Sequence, residues 1–157
     1  MNEQQPDFLN EYDRTILQEE ASQGKRFANY LIDLVCFYIF VFAGGAALGI
    51  IIYFINPESS FLQDESTSPW SGLVDRLLGL LLYGLFMSLT EGLFKGRTLG
   101  KLITGTIAVK DDGSPITWED AFKRGFSRAV PFEPFSALGG NPWHDRWTDT
   151  KVVLVKK

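Results

Sequence analysis

The sequence predicts a mainly α membrane protein: a two-helix transmembrane hairpin with an amphipathic interfacial helix and a small cytoplasmic β element. Three observations predict it. Two apolar stretches, about residues 27–55 and 73–94, are long enough at about 1.5 Å per helical residue to cross a hydrocarbon core roughly 30 Å thick. Basic residues gather just outside them, Lys25 and Arg26 before the first and Lys95, Arg97 and Lys101 after the second, whereas residues 27–75 contain no lysine or arginine. Beyond Leu102 the apolar run gives way to shorter strand-like, turn and helical patterns.

Average composition conceals this division. The 157 residues are 45% hydrophobic and 22% charged, values that a soluble domain would share. The formal net charge of -4 is unevenly placed: residues 1–23 hold Glu3, Asp7, Glu11, Asp13, Glu19 and Glu20 against Arg14 alone. That acidic polar segment reads as a solvated arm that stays attached, since it lacks the basic start and short apolar core of a cleavable signal peptide. A strongly basic surface for nucleic acid is absent, and the lipid bilayer is the expected partner. Cys36 is the one cysteine and His144 the one histidine, so neither a disulfide within the chain nor a His/Cys zinc set can form, and no metal or cofactor is expected.

The first span opens at Phe27 and is stopped by Asn56-Pro57. The connection over 56–72 carries Glu58, Asp64 and Glu65 and two prolines without a basic residue, which favours the outside. The second span has Asp75 and Arg76 near its first turn and Glu91 near its last. With cations at the other two flanks, the positive-inside rule puts both termini in the cytoplasm. Thr104 to Lys110 reads as a strand, residues 111–115 as a turn, and Thr117 as the N-cap of a helix over about 117–130 with Glu119 and Asp120 in its first turn. Trp118, Ala121, Phe122, Phe126 and Ala129 recur there at helical spacing beside Lys123, Arg124 and Arg128, a mixture suited to the membrane surface. Thr150 to Lys157 is a second strand candidate able to pair with the first, and 154–157 forms a basic end.

Arg26, Asn29, Tyr30 and Asp33 fall at i, i+3, i+4 and i+7, on one face of the first helix. Asp33 is the costly residue, because an acid at hydrocarbon depth costs about 2.5–3.5 kcal/mol by insertion scales and requires a partner, water or a proton. Two readings stay open for it: a fixed ion pair with Arg26 or Arg128 that orients the helix, and a group that moves protons or cations. Glu91 sits at similar depth on the returning helix and reads as a headgroup-level charge beside its neighbouring lysine and arginine. Gly45 with Gly49, and Gly84 with Ser88 and Gly92, space small residues four apart, suiting close packing within the hairpin or between subunits. The segment from Gly96 to Leu102 is not a phosphate loop, having three residues between its glycines instead of four and Leu102 in place of the hydroxyl. His144-Asp145 lacks an accompanying nucleophile or metal set, so no enzyme is expected.

Taken in order, these residues resemble the RDD family of membrane proteins, named for an arginine and two aspartates. Arg26 stands where the family places its arginine, and Asp33 where it places the first aspartate. Gly96, Arg97, Thr98, Leu99, Gly100 and Lys101, followed by Gly105 and Val109, are similar to the family's glycine-lysine segment, with Leu99 where proline is frequent. Asp145, within Trp143-His144-Asp145-Arg146, matches the second aspartate. The resemblance spans nearly everything after the acidic arm, which makes 24–153 one RDD-like membrane domain. It implies a multi-pass protein of the cytoplasmic membrane, generally bacterial, in a family whose function is poorly defined. Ligand transport has been suggested for it, and cation/proton exchange is associated with some members.

Two functions from different classes are therefore expected. In the first, Arg26, Asn29, Asp33 and Glu91 form an intramembrane polar site, Arg128 and Asp145 are its cytoplasmic-side partners, and Asp33 exchanges a proton for a cation or small ligand. Two helices cannot enclose a pathway, so this reading requires a homo-oligomer or another membrane subunit. In the second, the same residues lock the hairpin to a cytoplasmic cap over 96–157, and the protein is a non-transporting scaffold or accessory subunit.

Overall fold

The computed structural model describes residues 19–59, 71–136 and 142–155. The acidic arm before Glu19, the middle of the connection between the spans and the last two lysines lie outside them. Helix α1, Gln23–Ile55, contains the first apolar stretch and starts before Phe27 because the Ser22 hydroxyl accepts from the Lys25 amide at 3.4 Å and caps the helix. Asn29, Asp33 and Phe37 are buried along its first half, whereas the side chains beyond Phe37 are mostly exposed, Phe42 and Phe54 at 80%. Helix α2, Ser71–Leu93, contains the second stretch, and both helices are long and apolar enough to cross a membrane. They meet through aromatic rings: Phe37 lies edge-on to Tyr83 with centroids 5.1 Å apart, and Phe86 lies 5.6 Å from Phe37 and 5.3 Å from Phe40.

The expected strand from Thr104 divides into helix and strand. Leu99–Thr104 is a short helix, α3, which Gly105 closes at φ +69°, so β1 is confined to Thr106–Lys110. A left-handed cap is what redirects the chain there, and glycine adopts it without the steric penalty of a side chain. Strand β2, Thr150–Leu154, runs antiparallel to β1, with Thr106 opposite Leu154 and Lys110 opposite Thr150. Its other edge is not left open: the Ala21 amide donates to Val152 O and the Leu154 amide to Glu19 O, both at 2.9 Å. The segment entering α1 is thereby tied to the end of the chain.

Helix α4, Trp118–Arg128, starts at Thr117 in a capping box with Asp120, as the turn chemistry predicts. It lies along the last part of α2 in the opposite direction. Trp118 sits against Gly92, Gly125 against Ser88, and Phe126 and Ala129 against Gly84. The small-residue stripe of α2 is thus the seat of α4, where a side chain at Gly92 would meet the Trp118 ring at 2.3 Å. Gly45 and Gly49 differ, since a side chain added at either meets nothing within 4 Å among the described residues. Two short helices, α5 over Glu133–Ser136 and α6 over Trp143–Arg146, bring the chain back to β2.

Candidate functional site

Asp33 is satisfied by backbone and hydroxyl donors. Its Oδ1 accepts from the Gly100 amide at 2.7 Å and its Oδ2 from the Thr98 hydroxyl at 2.6 Å. The carboxylate therefore caps the start of α3, where helix amides have no partner of their own and the dipole favours negative charge. This replaces the expected ion pair with Arg26 or Arg128. The approach depends on glycine, because a Cβ at Gly100 would lie 2.5 Å from the Asn29 carbonyl oxygen. Asn29 itself donates to the Thr106 hydroxyl at 3.0 Å and accepts from that of Thr104 at 2.5 Å. The polar stripe of α1 thus docks onto the segment that follows α2.

Arg26 is also turned inward instead of reaching for lipid headgroups. Its Nη1 donates to Asp145 Oδ2 at 2.6 Å, its Nε to Ala21 O at 3.1 Å, and its Nη2 to Glu20 Oε2 at 3.2 Å. The second oxygen of Asp145 accepts from Arg124 Nη1 at 2.7 Å, and Arg124 Nε donates to Glu91 Oε1 at 3.0 Å. Glu91, expected at headgroup level, is fully buried. The Lys101 ammonium bonds its Oε1 as well, and Arg128 Nη1 lies 3.3 Å from its Oε2. The physical reason is α4, which covers Glu91 with two arginines one turn apart. One connected set of charges therefore joins α1, α2, α3, α4 and α6.

Lys101 and Arg124 complete this set, yet sequence reasoning treated Lys101 as a flanking charge and Arg124 as surface charge. A signal for Arg124 was present: Ala121, Arg124, Gly125 and Arg128 fall at i, i+3, i+4 and i+7, so two arginines share a face with the small residues that pack against α2. Burial is the largest influence on Lys101 and pulls its ammonium down to about 7, against the opposing attraction of Glu91. Burial also disfavours the charge on Arg128, but the Glu91 and Asp33 carboxylates outweigh it and hold the guanidinium above its usual range. Glu133 is raised by burial despite Arg128 nearby. Burial, reinforced by Arg128 and Arg124, holds His144 well below 6.5. Its Nδ1 pairs with Glu133, and its Nε2 lies 3.4 Å from Asp145 Oδ1.

A cavity of about 50 Å³ opens among these groups, with Tyr30, Asp33, Lys101, Arg128, Glu133 and His144 in its wall. It is roomy enough for a few water molecules. Among the described residues, no group of three His, Cys, Asp or Glu is arranged to hold a metal ion.

The sequence model of the RDD family matches residues 20–151, a span that includes Arg26, Asp33 and Asp145. No curated protein and no solved structure matches the chain.

Proposed function

This chain belongs to the RDD family, and from that premise we propose that it is a multi-pass protein of a bacterial cytoplasmic membrane acting as a non-enzymatic, non-transporting scaffold or accessory subunit. In this reading α1 and α2 form a hairpin with both chain ends in the cytoplasm. The segment from α3 to β2 is a cap clamped beneath it, with the aromatic face of α4 at the interface. The observation that carries the reading is that Asp33 and Glu91 are engaged by donors from the cap, while Asp145 of the cap accepts from Arg26 of α1 and from Arg124. The cost of burying acids is offset by these fixed partners, with Glu91 Oε2 the one oxygen of the three acids that is buried without a hydrogen bond among the described residues. Residues 34–55 of α1 alone extend about 33 Å, enough to span the hydrocarbon core with Asp33 at its inner boundary.

One observation favours the second reading, cation/proton or small-ligand transport by an oligomer. The small cavity joins Asp33 to Lys101, whose ammonium is drawn down to about 7 and would exchange its proton near neutral pH. Purified protein in sealed vesicles separates the two. The scaffold reading expects no proton flux in response to sodium, potassium or lithium gradients. Robust wild-type flux that disappears in Asp33→Asn overturns it in favour of exchange.

A further inference from the structure

A groove of about 570 Å³ runs up from Arg128 between α1 and α2. Leu34, Phe37 and Val41 line it on one side and Gly79, Leu80 and Tyr83 on the other, with Val130, Pro131 and Phe132 also in its wall. From Tyr30 to Val41 it covers about 16 Å of helix. Its walls are mainly apolar, with Arg76 and Arg128 the two charged residues in the lining. Arg128 stands at its base with a side chain only 8% exposed, and it also borders the small polar cavity.

Two features make Arg128 more than a lining residue. Among the described residues it makes no hydrogen bond: Nη1 is 3.3 Å from Glu91 Oε2 but is not aligned to donate, and both atoms stay unsatisfied. A buried guanidinium with idle donors is costly unless something accepts from it. Glu91 is, moreover, shared by Lys101, Arg124 and Arg128, and Arg124 has a second carboxylate in Asp145, so Arg128 is the arginine of the two with only a part share in one acid. A phosphate oxygen would supply the acceptor that Arg128 lacks among the described residues.

We propose that this groove holds an anionic glycerophospholipid of the surrounding bilayer, its phosphate at Arg128 and an acyl chain between α1 and α2. The apolar length accounts for the chain, and the buried arginine accounts for the phosphate. Basic pockets between membrane helices recognise anionic headgroups in this way. A zwitterionic lipid offers the same phosphate but brings a cation toward Arg128 and Arg124. Arg76, exposed at the far end of the groove, lies away from the headgroup position. The proposal rests on the membrane placement of α1 and α2, but not on whether the protein transports.

The test is native mass spectrometry of the full chain in neutral detergent, titrated with phosphatidylglycerol, phosphatidylcholine or inorganic phosphate. Phosphatidylglycerol is expected to bind one per chain and at least about tenfold more tightly than phosphatidylcholine, a difference of about 1.4 kcal/mol. Arg128→Gln should abolish the preference and Arg76→Gln should leave it. Because Arg128→Gln also removes a neighbour of Glu91 and is able to unfold the protein, Gly79→Trp is the deciding variant. A Cβ added at Gly79, in the groove wall, meets nothing within 4 Å, so a large side chain there starts from open space. It should remove lipid binding while the lipid-free melting midpoint stays at the wild-type value. Equal binding of the two lipids, full binding by Gly79→Trp, or displacement of phosphatidylglycerol by equimolar inorganic phosphate would each overturn the proposal. None of those outcomes depends on vesicle flux, so the scaffold reading stands or falls separately.

Discussion

Glu91 is the residue on which the buried charges converge. Replacing it with glutamine removes the negative charge and strands Lys101, Arg124 and Arg128 together, so Glu91→Gln should cost about 3–5 kcal/mol, the range for breaking a buried pair from one side. A melting midpoint in detergent within a degree of wild type would contradict this. His144 has a different signature, in pH. Its folded-state affinity for a proton is below that of the unfolded chain, so it contributes stability above 6.5 that is lost as pH falls below that value. Glu133 acts in the opposite sense: raised above 4.5, it costs stability as pH rises through the window between that value and its own. The unfolding midpoint of wild type measured from pH 8 to 5 should therefore lose ground to that of His144→Gln as the solution becomes acidic. A constant gap between the two would show that the ring does not titrate differently on folding. The sequence marks Arg26, Asp33 and Asp145 as notable but not their partners, because hydrogen-bond partners are chosen by folding back. Asp33 finds Gly100 across 67 residues and Arg26 finds Asp145 across 119.

The elements follow local rules where those rules are strong. Apolar runs place α1 and α2, and the Thr117 capping box places α4 to within a residue or two. The strand expected from Thr104 starts two residues later, because Thr104 ends the short helix α3 and Gly105 caps it, and so short a helix is too brief for periodicity to mark its end. Small-residue spacing shows the same contrast. Gly84, Ser88 and Gly92 resemble Gly45 and Gly49 as a motif, yet among the described residues only the first set has a helix pressed on it. Gly92→Leu should accordingly displace Trp118 and lower the melting midpoint clearly, whereas Gly45→Leu should leave it unchanged. Equal effects of the two substitutions would mean that α4 does not depend on the α2 stripe. If Gly45→Leu instead alters oligomer mass, the free face of α1 is a contact between copies.

At the scale of the molecule, the charged set forms a belt between the apolar ends of α1 and α2 and the small sheet. The proposed orientation is checked by thiol labelling in a Cys36→Ala background. A cysteine replacing Ser60, in the connection outside the described residues, should react with an impermeant reagent from the outside, and one replacing Ser114 should not. The reverse pattern would invert the topology and move the belt to the other face. What the sequence by itself determined is the two long apolar helices, able by length and composition to cross a membrane, the helix that starts at Thr117 and the family, because hydropathy and capping depend on residues close together in the chain. Only the tertiary structure decided that Asp33 caps α3, that Glu91 is buried under two arginines and that Arg128 makes no hydrogen bond among the described residues. Those outcomes depend on which distant segment offers a charge suitable geometry, and a buried charge is stabilised by that geometry and not by its neighbours in sequence.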